Sequence, residues 1–409
     1  MVTRDSPAST GQRLLWLLDH HRGAEGALNC PLLCRLRGPL DPTSLTNALR
    51  GLADRHESLR TRFTGRGAGL RQQVHAGTGH LAPRFATSAA EVADAVRERL
   101  SPHGDLVRAT VFRAAPDDHL LLLNLHHLVT DAWSNRVLFD ELAALLDGRP
   151  LPPPAWQYAD FTAWQRAEPQ AAQREYWRRH LAGATPPPLP AATGERGTAS
   201  LTADVDAATA RGLRGLARQC GTTVFGAALA VYYALLATVT DRADLTVASL
   251  FANRVRPESR GTVGFLANMV LLRTVVPARG SYADLVRATG RTVAEAFVHQ
   301  SLPVHTLGGD DRSAATDVVF QVLPDPVRAV RAGAVEARAL VPDGVASRFD
   351  LELALVPADG GFRAVLFYNP GRVPEPFART VLTGYTALAA AVAARPATPL
   401  DRLVPAVVA

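Results

Sequence analysis

Two adjacent histidines with an aspartate four residues beyond the second, His126-His127-Leu128-Val129-Thr130-Asp131, are the side chains of this sequence best suited to chemistry. An imidazole exchanges a proton near neutral pH, so a histidine here could position or deprotonate an incoming nucleophile. A structural reading stands beside that one. One histidine could be a paired core residue, and Asp131 could simply cap a helix. The motifs elsewhere in the chain decide between them.

The flanking segments must hold these side chains. Leu120 to Leu125 is an apolar run broken only by Asn124, too short for a helix and long enough for a strand buried on both faces. Asn135 to Leu146 places Val137, Leu138, Leu142, Leu145 and Leu146 at helical spacing, and Gly148 and Pro150 stop it. The histidines therefore fall at the end of a buried strand and Asp131 at the start of a helix, where rigid elements aim side chains beside a loop.

Composition sets the frame. A chain of 409 residues with 47% hydrophobic and 20% charged side chains has room for two lobes, each with a core. The formal charge of +6 rests on arginines alone, and they are scattered. That argues against a nucleic-acid surface and leaves only a weak pull toward acidic partners. Cys30, Cys34 and Cys220 are too few for a disulfide framework, and no histidine lies near enough to the first pair to suggest a metal. Met1 to Thr10 has no signal-peptide pattern. Thr222 to Thr240 approaches membrane-spanning length, but Gly226, several threonines and two tyrosines make it a buried core helix, and no membrane association is expected. The expected location is cytoplasmic.

In chain order, Ser9 to Leu17 opens a short helix and Asn29 to Arg37 reads as a strand. Asp41-Pro42-Thr43 starts a helix, which Arg55 to Phe63 carries into an extended segment. A β-rich passage follows, then a helix from Ser88 to Leu100 and a strand from Leu106 to Ala114 that pairs with Leu120 to Leu125. Another helix starts at Tyr158. Gly183 to Pro190, with four prolines, is the expected linker, which gives lobes at 1–182 and 191–409. Helices at Ala207 to Cys220, Thr222 to Thr240, Tyr282 to His299 and Phe377 to Ala394 alternate with strands at Leu245 to Leu250, Thr316 to Leu323, Phe349 to Val356 and Phe362 to Tyr368.

With those segments in order, the chain resembles the condensation domains of nonribosomal peptide synthetases. Arg55 to Phe63 matches R-H-E-x-L-R-T-x-F at every specified position. His126 to Ser134 resembles H-H-x-x-x-D-G-W-S, with Ala132 for glycine. Ser9 to Trp16 is similar to S-x-A-Q-x-R-L-W, and Tyr158 to Arg166 to Y-x-D-F-A-V-W-Q-R. Val263 to Arg273, His299 to His305 and Arg348 to Leu351 follow the later motifs more loosely.

The resemblance implies a mixed α/β (α+β) fold of two lobes similar to chloramphenicol acetyltransferase, set in a V with a tunnel between them that holds the histidines. It implies acyl transfer from a thioester on the phosphopantetheine arm of a carrier protein to a small-molecule amine or alcohol. No cofactor or metal is implied. His127 takes the catalytic role, His126 supports the fold around it, and Asp131 fixes the loop by bonding an arginine, with Arg60, Arg62 and Arg273 as candidates. Trp133, Trp164 and Asn268 are expected to pack and fix loops. At Ala132 the added Cβ costs about 1–2 kcal/mol if the site needs a left-handed backbone, and otherwise only narrows the tunnel.

No G-x-S-x-G elbow is present, so attack on the thioester is expected to be direct. Leu307 to Asp311 superficially resembles a carrier-protein attachment site, but Asp311 stands where serine is needed, and it is read as a loop. No adenylation or carrier segment is found, so a freestanding condensation enzyme is expected. Two alternatives stay open: an acyl-CoA-dependent acyltransferase of the polyketide-associated or wax-ester type, and a catalytically silent docking module.

Overall fold

A computed structural model describes the chain except residues 23–27, 78–80, 191–196, 308–316, 324–328, 342–348, 397 and 400–409. The Leu307 to Asp311 stretch beyond its first residue and Arg348 of the last motif lie outside the described residues. Contacts divide the chain into two units. The first holds Met1–Glu168, Ala252–Ala267 and Pro326–Ala346; the second holds Pro169–Phe251, Asn268–Asp325 and Ser347–Ala409.

The first unit is built on a six-stranded sheet in the order Ala329–Ala332, Val335–Leu340, Leu32–Arg37, Asp118–Leu125, Val107–Ala115, Arg84–Ala86. Asp118–Leu125 is paired on both edges, with Leu123 opposite Leu32 on one side and Ala109 on the other. Its last five residues are all buried, as the unbroken apolar run predicts. Leu32–Arg37 alternates instead, with Leu32, Cys34 and Leu36 inward. Burial pushes the Cys34 thiol up to about 12, so it is a packing residue without nucleophilic character. A second sheet pairs Val2–Pro7, Arg71–His75 and Thr61–Thr64. Helices Thr10–Arg22, Pro42–Arg55, Ala89–Arg97, Ala132–Leu146 and Tyr158–Ala167 complete the unit.

The second unit has a six-stranded sheet in the order Asn268–Val275, Asp244–Phe251, Val318–Val322, Leu351–Ala358, Gly361–Tyr368, Ala199–Val205. Its helices are Ala171–Leu181, Ala207–Gln219, Val224–Thr240, Tyr282–Val298 and Glu375–Ala394. Every residue from Gly226 to Leu236 is buried, which makes the near-membrane-length stretch a core helix. Glu375–Ala394 is also long and apolar enough to cross a membrane by length and composition, yet it buries Tyr385, Leu388 and Val392 in the same core.

The division corrects the expected continuous lobes at 1–182 and 191–409. The chain leaves the first unit after Glu168, ahead of the proline-rich stretch, and re-enters it twice. Val335–Leu340 returns because the edge of Leu32–Arg37 is open, and it pairs there from Glu336 opposite Arg37 to Leu340 opposite Leu33. Residues 252–267 return because Asp131 holds them.

Candidate active site

The histidine turn is clamped from both sides of its strand. The His126 amide donates to the Leu106 carbonyl at 2.9 Å, and the His127 amide donates to the Leu28 carbonyl at 2.8 Å. Gln12 donates from Nε2 to the Leu128 carbonyl at 3.0 Å. Gln12 also accepts from the Ser9 amide through Oε1, while its own amide donates to Ser9 Oγ. The S-x-x-Q opening is thus a helix cap that reaches the histidine turn.

The two imidazoles carry opposite tautomers, and the backbone sets both. His127 Nδ1 lies 3.1 Å from the Thr130 carbonyl, which can only accept, so Nδ1 bears the proton and Nε2 bears the lone pair in the neutral ring. His126 Nδ1 accepts from the Leu128 amide at 3.1 Å, so its proton is on Nε2. His127 is 9% exposed and His126 1%. The acceptor nitrogen is thus Nε2 in the neutral His127 ring and Nδ1 in His126, the latter already spent on the Leu128 amide. The Phe265 ring meets His127 edge to face at 5.8 Å.

Asp131 has no oxygen left for substrate. Its Oδ1 accepts from the Ser134 amide at 2.7 Å and from Arg254 Nη2 at 3.0 Å; its Oδ2 accepts from the Leu266 and Ala267 amides, both at 3.0 Å. The carboxylate caps helix Ala132–Leu146 and holds the returning loop in one geometry. Arg254 completes the clamp, donating to the Thr262 carbonyl at 2.9 Å and to Ser134 Oγ at 2.9 Å. The ion pair is 2–3% exposed. Burial pulls the guanidinium below its usual range, and Asp131 opposes that.

Arg254 corrects the expected partner. Arg60 instead donates to the carbonyls of Ala53 and His75, and Arg62 pairs with Asp105 at 2.7 Å near the surface. Arg273, in the second unit, pairs with Asp244 at 2.6 Å. Arg254 lies 123 positions from Asp131, in a turn that matched no motif, so nothing in the sequence singled it out. Trp133 fixes a loop: it is 40% exposed and donates from Nε1 to the Arg260 carbonyl at 2.9 Å. Trp164 packs against Trp156 and Phe161. Asn268, in the second unit, donates to the Gln300 and Leu302 carbonyls and so fixes a loop there. Ala132 is the first residue of its helix and exposed, and its backbone is not left-handed, so the missing glycine strains nothing.

The Arg55 to Phe63 motif reaches the site through Glu141, which sequence reasoning also missed. Arg55 Nε lies 2.9 Å and His56 Nε2 2.5 Å from Glu141 Oε2, which ties the end of helix Pro42–Arg55 to helix Ala132–Leu146. Burial alone would raise the Glu141 carboxyl, but His56 and Arg55 outweigh it and hold it below the usual range. Its contribution to stability is complete above the unfolded carboxyl's pKa of about 4.3 and fades as pH falls through the lower folded value. Glu141→Gln is expected to cost about 2–3 kcal/mol at neutral pH. The gap from wild type should narrow in acid, as urea titrations at several pH values would read.

Tyr158 of the fourth motif pins the returning loop. Its hydroxyl donates to the Phe265 carbonyl at 2.8 Å and accepts from Ser9 Oγ at 2.7 Å. Burial pushes that phenol well above its ordinary pKa, so it stays a neutral donor. Gly264 has φ +156°, and a Cβ there would lie 2.0 Å from the Tyr158 ring. Gly264→Ala is therefore expected to destabilise by about 3 kcal/mol, from overpacking against a ring bonded at its far end. Thermal unfolding beside a Gly261→Ala control, where a Cβ meets nothing within 4 Å, checks it.

Comparison with known proteins follows the same lines. The family model for the condensation domain matches residues 2–406. The chain is 31% identical to chondramide synthase cmdD of Chondromyces crocatus over 89% of its length, covering 10% of that protein. It is 35% identical to phosphinothricin tripeptide synthetase PhsB of Streptomyces viridochromogenes over 75% of its length, covering 28% of that protein. The chain thus spans a small part of the curated relatives it matches. Among solved structures, SgcC5 of Streptomyces globisporus superposes with a TM-score of 0.79 at 25% identity, covering 96% of this chain and all of that one. The condensation domain of the monacolin K polyketide synthase MokA gives 0.84 at 22%, covering 98% and 99%. The X-domain from teicoplanin biosynthesis gives 0.80 at 23%, covering 98% of each.

Proposed function

Because this chain belongs to the condensation-domain family, we propose that it transfers an acyl group from a carrier-protein thioester to an amine or alcohol, with His127 as the proton acceptor. The observation that carries this reading is the 3.1 Å approach of His127 Nδ1 to the Thr130 carbonyl, which puts the lone pair of the neutral ring on Nε2. The amine nitrogen attacks the thioester carbonyl carbon, a C–N bond forms and the C–S bond breaks. His127 takes the proton the nitrogen sheds and returns it to the departing thiolate. With an alcohol the same steps form an ester. His126 and Asp131 serve as supports for that ring and touch no substrate.

The experiment is intact-mass analysis of acyl-loaded carrier proteins incubated with the chain and a pool of amines and alcohols. Carrier discharge with a matching amide or ester product supports the reading. The same donor presented as acyl-CoA separates the acyl-CoA-dependent alternative. A docking module would leave every donor intact, the outcome expected if this domain worked only by recruiting a partner enzyme.

A further inference from the structure

We propose that Asp19 is a positioning residue for that acyl transfer, holding the His126 imidazole, and through it the histidine turn, in the orientation that serves His127. This rests on the catalytic reading of His127 given above. Helix Thr10–Arg22 touches the turn at two points. Gln12 bonds the Leu128 carbonyl, and Asp19, seven residues on and so on the same face, approaches His126. Asp19 Oδ1 lies 3.5 Å from His126 Nε2, the nitrogen that must carry the proton because Nδ1 accepts from the Leu128 amide. At that separation the contact is charge to N–H dipole and falls short of a fully formed hydrogen bond. His126 Nε2 has no partner of bonding geometry among the described residues.

Arg99 approaches the carboxylate from the other side, Nη2 to Oδ2 at 3.1 Å. Asp19 is 9% exposed and His126 1%, so the attraction acts largely out of water. Burial would raise the Asp19 carboxyl, but His126 and Arg99 outweigh it and keep it ionised. Asp19 also lines a cleft of about 290 Å³ with Trp16, His20, Ser101 and His103. A small carboxylate from solvent can therefore reach the place where its side chain ends.

The test uses the full chain with Asp19→Ala and Asp19→Asn. In Asp19→Ala, kcat is expected to fall about tenfold or more with KM for the loaded carrier within about twofold, the pattern of a misplaced catalytic group. Added formate should restore much of that loss in Asp19→Ala and none in His127→Ala. Wild-type kcat in Asp19→Ala, or no response to formate in a slowed and folded variant, overturns the proposal. Should Asp19→Ala fail to fold, Asp19→Asn keeps the shape without the charge and carries the same kinetic expectation. A further readout needs no turnover: the Leu128 amide keeps the proton of His126 on Nε2 with or without Asp19, so the His126 Nε2 ¹⁵N shift should move in Asp19→Asn as the facing charge is lost. An unmoved Nε2 shift overturns the Asp19 assignment, whereas a wild type that discharges no donor fails the catalytic reading alone.

Discussion

His127→Ala is expected to reduce turnover by about 10²- to 10⁴-fold, the range over which a positioned general base acts. The side chain is 9% exposed and its Nδ1 bonds the Thr130 carbonyl, so folding is read separately from rate. Carrier discharge followed by mass, with circular dichroism as the control for folding, gives the answer. Turnover at the wild-type rate would remove His127 from the chemistry. His126→Ala should behave differently, because that ring is buried and its acceptor nitrogen serves the Leu128 amide. Its effect should appear first in stability, and in rate only through the shape of the turn.

Arg254→Met is expected to cost about 3–5 kcal/mol, since it leaves the Asp131 carboxylate buried without its counter-charge. Against a typical total of about 5–15 kcal/mol that is a large fraction of a domain's stability. Asp131→Asn should cost a comparable amount from the other side. The double variant Arg254→Met/Asp131→Asn should cost less than the sum of the two, because no lone charge is then buried. Urea unfolding of the four proteins closes the cycle. A penalty below about 1 kcal/mol for Arg254→Met would show that the clamp is held by the Leu266 and Ala267 amides alone. Loss of activity should accompany loss of the clamp, since Phe265 on the same loop packs against His127.

The local order of this chain is written in its residues. The apolar run before His126 became a strand buried on both faces, and the helical spacing after Asp131 became helix Ala132–Leu146, because side-chain period and burial are properties of neighbours in sequence. The strands Val335–Leu340 and Ala199–Val205 were missed. Val335–Leu340 alternates buried and exposed residues only over its first four positions, Ala199–Val205 alternates half-buried and exposed ones up to a buried Val205, and each gains its place by pairing with a distant edge.

The motif residues also point toward a shared site, but not to how they meet. That Asp131 would hold an arginine followed from its type and place; which arginine did not. An ion pair is fixed by distance in space, and the arginines weighed for it, Arg60, Arg62 and Arg273, bond elsewhere. Glu141 and Asp19 were hidden for the same reason, each lying on a helix face that reads as ordinary amphipathic sequence until its partner arrives. The tautomers of His126 and His127 are the clearest case. Sequence supplied two identical rings, and only the folded backbone, with an amide facing one and a carbonyl facing the other, made them chemically different.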